Sequence, residues 1–326
     1  MPMFSQEESN GDSPAAISSK LSVPQLVRYS IDRLREELKT METASAVFWA
    51  RAEGLGQGDP DYLFLNPFST PAFLFPLWVE RSISPTQDMA FQYELAYAAT
   101  ALYFYVRILD DAMDGHVESG PLLPLLTSLY AHCNRALQNL FPHGDPFWAY
   151  FYRLIDLSTD AMIVDFSAAN LTSEDFLQLA AQKSYCVLIP MTAVLCKYKR
   201  YDQFERWSEL WHAFSAWNQM GDDVRDWYSD RKSNLCTYVL SQAQRLKRKD
   251  ESVEQWMLQD GYRWSFGVLN QFAKRARELA AELNVPEMEE ELGARYDQLS
   301  QHLAHLCETL SRIDHGMGRV LNGRAG

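Results

Sequence analysis

The chain has 326 residues and a formal net charge of -13, with hydrophobic residues at 47% and aromatics at 13%. That excess of acid argues against a nucleic-acid partner, whose phosphates are bound by surplus Lys and Arg. The one basic run, Arg245 to Lys249, reads as a solvated helix end. Nine Trp, sixteen Tyr and seventeen Phe are ample for a large core with a lined cavity, and five widely spaced cysteines without a CxxC pair indicate neither a disulfide framework nor a zinc knuckle.

In chain order, residues 1–20 are polar and acidic, lack the basic and apolar regions of a signal peptide, and read as a disordered tail. Residues 21–326 read as one domain. No apolar run approaches the roughly 18 residues of a membrane span, so a soluble, cytoplasmic protein is expected. Apolar residues at three- and four-residue spacing predict helices over Val23–Arg51, Gln87–Gly115, Leu122–Asn139, Asp145–Ala168, Ser173–Lys199, Gln203–Asp230, Ala243–Leu283 and Pro286–Ile313. The Phe64–Trp78 stretch is aromatic and broken by prolines, and is expected to pack across one end. The fold class is therefore all-α, a single large helical bundle with a central cavity.

Two acidic clusters stand out from this background. The segment LAYAATALYFYVRILDDAMDGH (95–116) is an apolar helix that ends in Asp110, Asp111 and Asp114. Carboxylates three and four residues apart are expected to share a face and repel one another, and at a helix C-terminus they also oppose the helix dipole. A divalent cation that prefers carboxylate oxygens removes both penalties. The arrangement recurs in FSAWNQMGDDVRDWYSDRKSN (214–234), with Asp222, Asp223 and Asp226 and, one turn on, Asp230. Two carboxylate rims suit a diphosphate ester, because Mg2+ held by them would bridge its oxygens and make diphosphate a leaving group. The allylic cation so formed needs a dry, aromatic-walled pocket. Ala99 and Tyr103 before the first cluster, and Trp211, Ser215, Asn218 and Gln219 before the second, are candidates for that wall.

These motifs resemble those of the class I isoprenoid synthases, a superfamily of trans-prenyl diphosphate synthases, terpene cyclases and more distant squalene and phytoene synthases. Leu109 to Asp114 is similar to the first aspartate-rich motif, and Asn218 to Asp226 to the second. The resemblance implies Mg2+, about three ions, bound by Asp110, Asp111, Asp114, Asp222, Asp223, Asp226 and Asp230, with Asp110, Asp111 and Asp222 catalytic. It implies a prenyl diphosphate substrate of C10 to C20 or longer, and allows a homodimer. TSEDFLQLAAQKS (172–184) resembles the segment whose lysine touches the diphosphate, here Lys183. Arg225, Arg231 and Lys232 are further diphosphate-binding candidates, each able instead to pair with a neighbouring carboxylate, and Arg107 reads as a salt-bridge partner.

Departures from the pattern separate the subfamilies. The basic stretches that hold a second diphosphate in chain-elongating enzymes are missing after Asp114 and around Phe64 to Trp78. Asp222, Asp226 and Asp230 stand where terpene cyclases carry a three-ligand motif. The leading expectation is thus a terpene synthase that ionises one linear prenyl diphosphate and cyclises or quenches the cation. Alternatives are a prenyltransferase and a non-catalytic helical regulatory subunit.

Overall fold

The computed structural model describes residues 21–65, 71–113, 117–298, 300, 301 and 305. The proposed tail, Asp114 and the end of the last predicted helix lie outside these residues. The described chain folds into α1 (Val23–Leu38), α2 (Glu42–Leu55), α3 (Pro60–Leu65), α4 (Pro71–Ile83), α5 (Met89–Met113), α6 (Leu125–Leu140) and α7 (Phe147–Ser167). There follow α8 (Ser173–Lys183), α9 (Tyr185–Lys197), α10 (Phe204–Lys232), α11 (Tyr238–Leu246), α12 (Val253–Trp256) and α13 (Tyr262–Leu283), then a helix over 286–298. No strand occurs among the described residues.

The apolar run before the first cluster explains the position of α5. Every residue from Leu95 to Leu102 is buried, so the helix has no solvent face there and must be enclosed. It is packed by α1, α4, α6 and α9, while α10 is packed by α8, α9, α11 and α13. Both cluster-bearing helices therefore share α9 as a neighbour.

At the N-terminal end of α5, the fully buried Glu80 of α4 accepts from Gln92 Nε2 (2.9 Å) and Tyr198 Oη (2.8 Å). Lys197 lies 3.4 Å from the same carboxylate. A buried charge persists only when paired and hydrogen-bonded in this way, and the network ties α4, α5 and the end of α9 together.

Four elements depart from the predicted pattern, one of them the predicted Ala243–Leu283 helix, which is interrupted over 247–252 between α11 and α12. The Phe64–Trp78 stretch is largely helical, in α3 and α4, with Pro76 inside α4; a proline there removes one intrahelical hydrogen bond, which is why its sequence does not read as a helix. The predicted Val23–Arg51 helix turns between α1 and α2. The predicted Ser173–Lys199 helix is broken at Ser184, where α8 and α9 meet at 62°. The two halves are apolar enough together to resemble a membrane span, but no single described helix is long and apolar enough to cross one.

Candidate active site

Helical geometry advances each residue by about 100°, and this divides each acidic cluster between two directions. In the first, Asp111 turns inward to 2% exposure. There it meets Arg51 Nη2 of α2 at 3.0 Å and Arg107 Nη2 at 2.9 Å. Asp110, the next residue back, is half-buried and faces the Lys183 side of the bundle, where it contributes to that lysine's electrostatics. The prediction that these carboxylates share a face is thus corrected for Asp111, whose charge is met by two guanidinium groups.

The second cluster divides in the same way. Asp222, Asp226 and Asp230 follow one another at intervals of four along a partly exposed face of α10. Asp223 instead turns inward, 4% exposed, and accepts from Gln219 Nε2 (2.9 Å) and from the Tyr238 backbone N–H (3.0 Å). It thereby holds the first residue of α11. Burial pushes its carboxyl up from 3.8 to about 6, helped by Asp230 and opposed by the two hydrogen bonds and Lys183.

A carboxyl so shifted binds its proton more tightly in the folded than in the unfolded chain. Its ionisation therefore costs stability as pH rises from about 4 to about 6, by about 3 kcal/mol when complete. Asp223→Asn removes this cost. Urea unfolding in EDTA is expected to show the variant gaining on the wild type by about 1–3 kcal/mol between pH 4.5 and 7.5; parallel pH profiles would show that Asp223 is not a buried ion.

The break between α8 and α9 supplies the cation between the clusters. Ser184 Oγ bonds back to the Ala180 and Ala181 carbonyls at 2.9 and 3.0 Å, a local side-chain contact that competes with continued helix. Ser158 Oγ of α7 donates to the Lys183 carbonyl at 3.3 Å. Lys183 ends α8 at this corner, with Nζ 2.5 Å from Asp165 of α7. Burial works against its charge, yet Asp165, Asp110 and Asp223 outweigh it and hold its pKa above the usual lysine value. Lys183 is thus where α5, α7 and α10 meet electrostatically.

Below this level the candidate wall residues are enclosed. Ala99 and Trp211 are buried and Tyr103 and Asn218 half-buried. Ser215 Oγ donates to the Trp211 carbonyl at 2.7 Å and lies 3.4 Å from Ser184 Oγ. Gln219 is engaged with Asp223. Tyr103 packs edge-on against Phe64, which packs against Phe73 of α4; Trp211 packs edge-on against Phe75 of α4 at 5.4 Å. α4 thus makes one aromatic contact toward the α5 side, through Phe73 and Phe64, and a separate one toward the α10 side, through Phe75.

The remaining candidate cations are engaged as well. Arg231 pairs with Glu254 at 2.9 Å, Lys232 lies over the Tyr228 ring at 4.3 Å, and Arg225 touches Asp222 with Asp226 at 3.4 Å. Asp165 and Arg51 are the site residues that sequence reasoning did not find. Asp165 is one of three aspartates on α7 and Arg51 is the single arginine of α2, and only tertiary packing brings either to a cluster.

Among the described residues no three His, Cys, Asp or Glu side chains form a preformed metal cage. Mg2+ in general keeps waters and binds through one or two carboxylates plus substrate phosphates. The partly exposed carboxylates of Asp110, Asp222, Asp226 and Asp230 are donors of that kind.

Searches by family model and against curated sequences return no match. The fold does have solved neighbours. One is a geranylgeranyl pyrophosphate synthetase from the archaeon Geoglobus acetivorans, with a TM-score of 0.63 at 12% identity over 86% of this chain and 98% of that one. Another is a decaprenyl diphosphate synthase from Rhodobacter capsulatus, with a TM-score of 0.59 at 12% identity over 87% and 96%. The chain has the all-α isoprenoid synthase fold.

Proposed function

We propose that this chain is a Mg2+-dependent enzyme that ionises an allylic prenyl diphosphate. The observation that carries the reading is Lys183, held at the α8–α9 corner in the joint field of Asp110 on one cluster helix and Asp223 on the other. Mg2+, when bound, supplies the positive charge that neutralises the departing diphosphate oxygens. Asp110 and the Asp222–Asp226–Asp230 face would hold it, with Asp114 completing the first cluster. Asp223 and Asp111 position the helices that carry those ligands. Lys183 donates to a diphosphate oxygen, and Tyr103 and Trp211 belong to the aromatic lining that keeps water from the cation.

The fate of that cation has two readings, each with its own support. Transfer to a second substrate is favoured by the two solved neighbours, a geranylgeranyl pyrophosphate synthetase and a decaprenyl diphosphate synthase. It is also favoured by Arg51 and Arg107, which meet at Asp111 and put two guanidinium groups against one carboxylate beside the first cluster. Cyclisation, the fate that the sequence puts first, is supported by the four-residue spacing of Asp222, Asp226 and Asp230. Incubation with geranyl, farnesyl or geranylgeranyl diphosphate and Mg2+ separates them. Longer diphosphates that appear only with added isopentenyl diphosphate mark transfer, and a hydrocarbon or alcohol without it marks cyclisation or quenching. Absence of pyrophosphate release under both conditions would overturn the common step.

A further inference from the structure

Three of the four candidate diphosphate cations rest on partners outside the aspartate clusters: Lys183 on Asp165, Arg231 on Glu254 and Lys232 over Tyr228. Arg225 differs. The same Nη2 atom touches Asp222 and lies 3.4 Å from Asp226. Its positive charge therefore sits between two carboxylates four residues apart, the pair proposed above to take metal. A guanidinium and a dication cannot share that position without strong repulsion.

We propose that Arg225 is the resident counter-ion of the second cluster: it occupies the metal position in the empty protein, moves to the diphosphate when substrate arrives, and so makes metal loading there depend on diphosphate. The inference rests on the metal reading of this site. Between Asp222 and Asp226 the guanidinium offsets like-charge repulsion at i and i+4 spacing. A diphosphate offers the same fork a bidentate partner of higher charge. Once Arg225 has moved, both carboxylates are released toward the metal, and by linkage each ligand tightens the other by the same factor.

The test is Mn2+ binding to the full chain, followed by the electron paramagnetic resonance of free Mn2+, with and without inorganic pyrophosphate. Arg225→Gln is expected to tighten Mn2+ binding about two- to fivefold without pyrophosphate, the range of an exposed ion pair. The further tightening that pyrophosphate gives the wild type is expected to shrink in the variant. An unchanged affinity without pyrophosphate would overturn the proposal. So would an equal gain with and without it, because a charge acting only from a distance behaves that way. Wild-type protein that binds no Mn2+ even with pyrophosphate would refute the metal reading itself, and this inference with it.

Discussion

Asp110→Asn is expected to lower kcat for pyrophosphate release by about 10²–10³ and to leave folding stability within about 0.5 kcal/mol. Asp110 is half-buried; on the proposed reading its loss removes a metal ligand, and it relieves repulsion from Asp111. Asp111→Asn behaves in the opposite way. It removes the charge of the carboxylate that lies 3.0 and 2.9 Å from Arg51 and Arg107. A urea titration is expected to show a stability loss of about 2 kcal/mol, below the range for a fully buried pair because both arginines are partly exposed. Steady-state release assays beside urea curves decide the matter: equal kinetic loss in both variants without a stability difference would erase the division of labour within the first cluster.

Lys183→Ala is expected to cut kcat/KM about 10²-fold or more, because it removes a cation coupled to both clusters and leaves Asp165, Asp110 and Asp223 without its charge. Asp165→Asn keeps the shape of the 2.5 Å contact and keeps Lys183 charged by its other two neighbours. Its kcat/KM is expected to stay within about tenfold of the wild type. The contrast makes Lys183 the diphosphate ligand and Asp165 the residue that positions it. An Asp165→Asn variant as impaired as Lys183→Ala would mean that Asp165 takes part in the chemistry itself.

The sequence made the helices and the acidic clusters legible, because apolar periodicity and unrelieved carboxylates are local signals. α5 and α10 were predicted almost in full for that reason. Breaks were less legible where a side chain competes with the backbone: nothing in the letters around Ser184 says that its hydroxyl will bond back to Ala180 and Ala181. Pro76 hid α4 by looking like a terminator. Within the clusters, which aspartates turn inward depends on what packs beside the helix. Asp223 points to the Tyr238 backbone and Asp111 to Arg51, partners 15 and 60 residues away in the chain. Asp165 carries no local signature at all, since it is the packing of α8 against α7 that brings Lys183 to it.

The most direct test of a shared metal and diphosphate site is a crystal structure with Mn2+ and pyrophosphate, read by anomalous scattering. The account predicts manganese peaks on the Asp110 side and on the Asp222–Asp226–Asp230 face, bridged by one pyrophosphate that Lys183 also touches. Peaks confined to one cluster, or a pyrophosphate bound away from Lys183, would contradict it.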